Sequence, residues 1–235
     1  MPVIPPALFS GLFLFDKPKG ITSHDAVDLL RHKLRLKRIG HGGTLDPMAT
    51  GLLLLLVGSA TKIQASLQGS SKVYCGVIKF GSQTDTWDAE GRVMAELPLP
   101  DLTEEAVKCA IAAFSGTITQ QVPPFSAVRF QGRRLYAMAR DNAVMPEIKR
   151  EARVKWLSWE LKGAELQFKI ECSGGTYIRS IAHELGNTLG VFGHLAALRR
   201  ESIGRFNVSD SITREAMIAL SAQEIKARLI KVASG

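Results

Sequence analysis

Asp46 is the carboxylate whose sequence neighbours most favour a chemical role. It lies in GHGGTLDP, residues 40–47, after three glycines and directly before Pro47. An ionised carboxylate can act as a nucleophile or as a general base. The proline holds Asp46 in an extended backbone and the glycines let another backbone come close, as a carboxylate presented to a large ligand requires. The alternative is structural, since aspartate followed by proline is a common helix start.

The segment CSGGTYIRS, residues 172–180, is the second candidate site. Tyr177 and Arg179 are two residues apart, so an extended backbone puts both side chains on one face, whereas a helix beginning at Thr176 makes them diverge. An arginine beside a carboxylate favours the ionised form, and an aromatic ring can stack on a base. The structural alternative is a surface arginine and a core tyrosine.

Other common reagents are missing from the sequence pattern. The histidines show no metal-ligand spacing, there is no G-x-S-x-G sequence, and GHGGT lacks the Gly-Lys-Ser/Thr of a phosphate-binding loop. The three cysteines are far apart, which predicts neither a disulfide framework nor a metal site and favours a reducing compartment. The N-terminus lacks a basic region before its apolar run, and LLLLLV is too short to span a bilayer. These patterns predict a cytoplasmic protein without metal, cofactor or membrane partner.

The basic residues are clustered. The net charge is +8, residues 31–38 hold five fixed positive charges, and residues 129–155 hold eight basic against three acidic residues. A solvated basic face is the simple interpretation. Two separate clusters, neither of which resembles an amphipathic membrane anchor, favour nucleic acid as the partner.

The first half of the chain contains several clear elements. GLFLFDK predicts a buried strand stopped by Pro18, and Thr22 and Asp25 have the spacing of a capping box before a helix that ends in the first basic cluster. The leucine run predicts a buried strand, followed by a short helix near residues 60–67. KVYCGVIKFG alternates as a strand in which Tyr74 points away from one packed face, and Thr103 caps a helix.

The second half is less regular at first. Residues 116–142 predict a long, basic, irregular segment with a short helix at its end, and such segments are often functional. A hairpin around Gly163 follows, then a helix in TYIRSIAHELGNTLG closed by a glycine. A last helix is expected from about Thr213. The pattern alone predicts a mixed helix and strand composition.

Six sequence blocks, taken together, are much more specific than any one of them. They are FDKPKGITSHDAV, RIGHGGTLDPMATGLLLLLVGSATK, KVYCGVIKFGSQTDTWDAEG, QGRRLYAMAR, CSGGTYIRSIAHELG and HLAALRRESIGRF. In order and spacing the chain resembles the bacterial TruB-type tRNA pseudouridine-55 synthases over residues 12–218.

The resemblance implies an α+β pseudouridine synthase fold, with a mixed, mostly antiparallel central sheet flanked by helices and a basic RNA-binding cleft. It implies one catalytic domain, residues 1–235, acting as a monomer on the T stem-loop of tRNA and converting uridine-55 to pseudouridine without metal or cofactor. The PUA-type module that follows in many members is expected to be absent. The alternatives are a non-catalytic RNA-binding or tRNA-chaperone protein and a synthase acting on another RNA.

The resemblance also implies roles for individual residues. Asp46 is the catalytic residue, and whether it attacks the base, attacks the sugar or takes a ribose proton stays open. Gly42 stands where the family usually has threonine, which is expected to loosen the loop. The other implied site residues are Tyr74, which stacks on the target base; Arg179, which pairs with Asp46; Tyr177 and Leu198, which line the pocket; His41, which braces the space left by the flipped base; and Lys17, which supports the site.

Overall fold

The structure is a computed structural model that describes residues 9–141 and 143–232. The chain forms two compact units. The first is built from two separated segments, one ending at Val73 and one beginning at Arg199, and the second is Tyr74–Leu198. Both contain helices and mostly antiparallel strand pairs, so the predicted α+β class is confirmed.

The first unit combines strands and helices from both of its chain segments. Its strands are β1 (Gly11–Lys17), β2 (Ile39–His41), β3 (Thr50–Val57), the start of β4 (Lys72–Phe80), the end of β12 (Gly193–Ile203), β13 (Phe206–Asn207) and β14 (Ile212–Thr213). Its helices are α1 (Ser23–Leu34), α2 (Gln64–Gly69), α6 (Arg214–Ala219) and α7 (Ala222–Ala227), with 3-10 turns at Gly58–Ile63 and Val208–Asp210. β1 and β3 pair antiparallel from end to end. β2 is antiparallel to β3, whereas β14 runs parallel to β1 and the end of β12 parallel to β3.

The leucine run forms β3, as predicted, and is buried on both faces. Leu53 and Leu55 pack in a core with helix α1, while Leu52 and Leu54 pack in a second core with residues of β1 and of the turn before α2. A strand that is covered on one face buries only every second side chain and so alternates apolar and polar residues. The unbroken leucine run therefore indicates that both faces of β3 are covered. Each fully buried leucine stabilises the unit by about 1.5–3 kcal/mol.

Helix α1 begins and ends as its sequence predicts. The Thr22 hydroxyl accepts from the amide of Asp25, and the Asp25 carboxylate accepts from the amide of Thr22, which completes the capping box. Hydrogen bonds that the amide and the hydroxyl of Thr22 donate to the Asp25 carboxylate lower its pKa. The helix stops at Arg35, whose backbone is left-handed at φ 50°.

The end of the chain differs from prediction. Thr213 does cap a helix, but α6 stops at Leu220, whose backbone is extended, and α7 starts again after Ser221. Ser221 and Glu224 form a second capping box that favours a new helix start. One predicted helix is therefore two short ones.

The second unit contains the long hairpin. Its strands are the rest of β4, β5 (Ser82–Thr84), β6 (Val93–Glu96), β7 (Gly116–Gln121), β8 (Arg129–Phe130), β9 (Arg133–Arg134), β10 (Lys149–Lys162), β11 (Glu165–Cys172) and the start of β12. Its helices are α3 (Glu104–Ala113), α4 (Leu135–Arg140) and α5 (Ile178–Thr188). Neighbouring strands follow the order β12-β4-β11-β10-β7, and β5–β6 and β8–β9 form separate hairpins. The hairpin around Gly163 and the helix capped by Thr103 are confirmed.

The segment predicted to be irregular begins with a strand. β7 pairs antiparallel with β10 from Gly116 opposite Val154 to Gln121 opposite Lys149. Its inward positions are Ile118 and Gln120. Because one of the two inward residues is polar, the alternation that indicates a strand is hidden in the sequence.

Candidate active site

Asp46 lies in a turn and not at a helix start. Its carbonyl accepts a hydrogen bond from the amide of Ala49 at 3.1 Å, and strand β3 begins one residue later, at Thr50. The helix-start alternative is therefore wrong. The carboxylate stands on a loop that leads directly into a fully buried strand.

Two buried side chains hold the backbone just before Asp46. The Ser23 hydroxyl accepts from the amide of Leu45 at 2.8 Å and donates to its carbonyl at 3.1 Å. The Arg200 guanidinium donates to the carbonyls of Gly43 and Thr44 at 3.1 and 3.3 Å. The peptide groups leading to the carboxylate are thus fixed by interactions that water cannot easily replace.

Lys17 holds the other side of the turn. Its side chain is fully buried, and its Nζ donates to the carbonyls of Pro18, Ile21 and Pro47 at 3.0, 2.7 and 3.3 Å. The amide of Gly20 donates to the same Pro47 carbonyl at 2.9 Å. This geometry is that of a supporting residue. A role of Lys17 toward the substrate stays a prediction.

Together these contacts satisfy every backbone carbonyl from residue 43 to residue 47. Gly42 also belongs to the ordered part of the loop, since its amide donates to Leu54 at 2.8 Å and a Cβ there would lie 3.3 Å from Leu67. A glycine at this position therefore goes with close packing and not with a loose loop. The backbone that carries the Asp46 carboxylate is thus constrained before any ligand arrives.

His41 ends strand β2 opposite Leu55, a few residues before Asp46. Burial lowers the pKa of the His41 imidazole, with smaller contributions from the charges of His24 and Arg200. Its ring meets that of His24 edge-on, with 6.4 Å between centroids. Within the described residues the buried Nδ1 atom has no hydrogen-bond partner. The ring is thus kept neutral at neutral pH.

In the second unit, helix α5 begins between Tyr177 and Arg179. Tyr177 is the extended residue just before the helix, and its amide and carbonyl are both bound by the side chain of Gln120, at 2.8 and 3.1 Å. Its ring packs against the core around Val122, and the Arg150 guanidinium lies 5.5 Å from the ring centroid. The sequence left two alternatives, an extended segment and a helix beginning at Thr176. The structure is closer to the second, because a helix does begin here, but at Ile178, two residues later than Thr176.

Arg179 is anchored by a tight turn that follows β5. Its Nη1 and Nη2 donate to the carbonyls of Thr86 and Phe125, both at 3.0 Å, and its Nε lies 3.6 Å from Oδ2 of Asp88. Both side chains of this ion pair are 6% exposed. The other oxygen of Asp88 accepts from the Thr86 hydroxyl at 2.6 Å and from the amide of Glu90 at 3.1 Å. The guanidinium is therefore held by a carboxylate that is itself fixed.

Tyr74 and Leu198 lie on strands β4 and β12, and each is less than one-tenth exposed. Tyr74 shares its parity with Ile78 and Phe80, which are buried. The predicted strand is confirmed, and Tyr74 lies on the parity opposite Val73, Cys75 and Val77; its own parity is the more buried of the two. The roles of Tyr74 and Leu198 toward a base stay predictions.

In the second unit, three polar residues that contact Arg179, Tyr177 or strand β7 were not selected from the sequence. Asp88 lies in a segment for which no helix or strand was predicted, and Gln120 lies in the segment predicted to be irregular. The third, Glu184, accepts from the amide of Gln121, and burial raises the pKa of its carboxyl against the opposing effects of that hydrogen bond and of Lys149. Asp88 could have been selected because it lies in KVYCGVIKFGSQTDTWDAEG, one of the six sequence blocks that carry the family resemblance.

Basic side chains are exposed around α4. Arg134 and Arg140 lie 5.8 and 5.6 Å from the centroid of the Tyr136 ring, and Arg129 and Arg133 precede them on the β8–β9 hairpin. Positive charge beside an aromatic ring suits the backbone and bases of RNA.

Within residues 9–141 and 143–232, no group of three or more histidine, cysteine or acidic side chains is placed to hold a metal ion. In the same residues no helix is both long and apolar enough to cross a membrane.

Comparisons with known proteins agree on one family. A model described as the TruB family pseudouridylate synthase N-terminal domain matches residues 31–178. The chain is 46% identical over 226 residues to tRNA pseudouridine synthase B of Opitutus terrae, covering 94% of this chain and 92% of that protein. It is 44% identical over 225 residues to the protein of the same name from Microcystis aeruginosa, covering 93% and 76%.

The solved structures agree. The chain resembles one in a Cbf5-Nop10-Gar1 complex, with a TM-score of 0.66 and 29% identity over 87% of this chain and 52% of that one. A chain of an H/ACA RNP bound to a substrate RNA containing 2'-deoxyuridine gives a TM-score of 0.63 and 27% identity, over 87% and 51%. This chain spans about half the length of both. With a family model over most of its length and relatives of high identity, the chain belongs to the TruB family of pseudouridylate synthases.

Proposed function

We propose that this protein converts uridine to pseudouridine in tRNA, at position 55 of the T loop. The relatives it matches are named tRNA pseudouridine synthase B, and this chain covers 92% of the one from Opitutus terrae. The observation that carries the proposal is the loop of Asp46, in which each backbone carbonyl from residue 43 to residue 47 is hydrogen-bonded. The enzyme is expected to act as a monomer in the cytoplasm.

The reaction is an isomerisation. The bond from N1 of uracil to C1′ of the ribose breaks, the base turns, and C5 bonds to C1′. The hydrogen on C5 leaves as a proton and N1 gains one, so no oxidant, reductant or group donor is consumed. Asp46 supplies the ionised carboxylate that this exchange needs next to the nucleotide. Holding it on a fixed loop lowers the entropic cost of reaching the reactive geometry.

The remaining site residues are proposed to receive the flipped nucleotide. An extruded base loses its stacking, and an aromatic ring compensates it by about 1–3 kcal/mol, which is the role proposed for Tyr74. The pairing of Arg179 with Asp46 is proposed from the family resemblance; within the second unit the Arg179 guanidinium is held by Thr86, Asp88 and Phe125. Tyr177 and Leu198 are proposed to line the pocket, and His41 is proposed to brace the space left by the flipped base.

The basic segment around α4 is proposed to grip the phosphates of the T arm. Phosphate contacts give affinity, and the shape of the loop with its splayed bases gives specificity. Binding should therefore weaken steeply as the salt concentration rises.

The test is Asp46→Asn on a T-arm stem-loop carrying tritium at C5 of the target uridine. We expect tritium release to be abolished while the Kd for the RNA stays within about tenfold, or about 1.4 kcal/mol. Equal turnover by the variant and the parent would refute the role of Asp46. Tight binding by the parent without any conversion would favour the RNA-chaperone alternative, and faster turnover of rRNA fragments would assign another substrate.

A further inference from the structure

Arg200 is a charged side chain in the interior of the first unit. It lies on β12, is 1% exposed, and is among the largest fully buried side chains. Its Nε donates to the carbonyl of Leu52 on β3 at 2.7 Å. Its two terminal nitrogens donate to the consecutive carbonyls of Gly43 and Thr44 at 3.1 and 3.3 Å. One guanidinium thus joins strand β3 to the loop before Asp46.

Such a residue is costly to bury. A cation loses its hydration in a protein interior, and only well-directed hydrogen bonds compensate it. A hydrophobic side chain of similar volume would fill the same space with less loss. The planar fork of arginine does what a hydrophobic residue cannot, because it fixes two successive carbonyls in one orientation.

The backbone position of Arg200 is also fixed. Arg200 pairs with Gly51 across the parallel β3–β12 contact. Gly51 has φ +99°, and a Cβ there would lie 2.3 Å from the Arg200 carbonyl oxygen. Only glycine allows the two backbones to come this close. The guanidinium is therefore delivered to the loop from a backbone that has little freedom.

We propose that Arg200 is a positioning residue for the reaction: by holding the peptide groups of Gly43 and Thr44 it sets where the carboxylate of Asp46 stands. Leu45, which lies between Thr44 and Asp46, is held by the Ser23 hydroxyl. The constraint on Gly43 and Thr44 therefore extends along the backbone to Asp46. The inference rests on the proposed function. A displacement of about 1 Å at a reacting group can cost about 100-fold in rate, so loss of this clamp should reduce turnover more than binding.

The experiment compares Arg200→Met, Arg200→Lys and the control Met217→Ala. Met217 is fully buried in a core of the same unit that includes no residue from 43 to 47, so its truncation should lower the melting temperature without removing a hydrogen bond of the clamp. Single-turnover tritium release is measured at saturating T-arm stem-loop, with the Kd and with amide exchange at residues 43–46. All are recorded at a temperature well below each melting point.

We expect Arg200→Met to lower the rate by about 100-fold and Arg200→Lys by about 10-fold, each with a Kd within about threefold of the parent. Amide exchange at residues 43–46 should rise in both. Met217→Ala should keep the parent rate and exchange. Partial rescue by lysine follows because it restores a charge and a donor but not the fork.

The proposal is overturned if Arg200→Met turns over at the parent rate, if the loss lies in the Kd alone, or if Met217→Ala loses as much activity. Should Arg200→Met fail to fold, Arg200→Lys decides by the same criteria. A parent that converts no uridine refutes the proposed function, while the exchange at residues 43–46 still tests the clamp.

Discussion

Replacing Asp88 by asparagine tests the anchor of Arg179. The change keeps the shape of the side chain, and the amide oxygen can still accept from Thr86 and from the amide of Glu90. The amide nitrogen then faces Nε of Arg179, a donor against a donor. Because both side chains are 6% exposed, the guanidinium loses its buried counter-charge in this turn.

Removing one partner of a buried pair costs about 3–5 kcal/mol. The 3.6 Å separation is longer than a hydrogen bond, and Arg179 keeps its two carbonyl acceptors, so the low end, about 3 kcal/mol, is expected. For a chain of this size that is a fall in Tm of about 6–12 °C. Scanning calorimetry of parent and variant at pH 7.5 measures it.

Asp85→Asn is the matched control. It lies in the same turn and pairs with Arg92, whose side chain is 84% exposed. A surface pair of this kind contributes about 0–1 kcal/mol, so the expected fall in Tm is below about 4 °C. Equal falls for Asp85→Asn and Asp88→Asn, or no fall for Asp88→Asn, would show that burial does not make the Asp88 contact strong.

Three further predictions follow from the buried polar groups. Ser23→Ala leaves the amide and carbonyl of Leu45 unsatisfied, which should cost about 2–3 kcal/mol by urea unfolding and slow turnover, whereas the exposed Ser59→Ala should change stability by less than about 0.5 kcal/mol. The pKa of His41 is lower in the folded state than its ordinary value of 6.5, so the unfolded state binds the proton first and the free energy of unfolding falls as the pH drops below about 6.5. His41→Gln should therefore lose less stability than the parent between pH 7.5 and pH 5. An identical loss in parent and variant would contradict this. The pKa of Glu184 is raised in the folded state, so its ionisation opposes folding as the pH rises above 4.5. The variant Glu184→Gln can still accept a hydrogen bond from the Gln121 amide. Its Tm should match or exceed that of the parent at pH 7.5 and should show no gain over the parent at pH 4.

Where the sequence predicted the fold well, local chemistry and burial agree. The capping box of α1 and the leucine strand β3 need only neighbouring residues to be recognised. Strand β7 was missed because Gln120 fills an inward position with a side chain whose partner, the backbone of Tyr177, is 57 residues away. A polar residue that is satisfied only in the tertiary structure gives no local signal.

The site shows the same limit. Asp46 stood out because its glycines and proline are adjacent in sequence. The groups that fix its loop, Lys17, Ser23 and Arg200, are brought there by separate elements, and of these only Lys17 was selected, through the family resemblance. Spacing along the chain cannot indicate which carbonyl a distant guanidinium will meet.

The assembly of the first unit from two distant segments affects when the protein becomes competent. Gly43 and Arg200 are 157 positions apart, so a ribosome makes the aspartate loop long before the arginine that clamps it. Until the later segment emerges, β3 lacks the strand that lies parallel to it. A nascent or truncated chain that ends before Arg200 therefore carries the Asp46 carboxylate on an unbraced loop, and activity is expected only after the later segment has been synthesised.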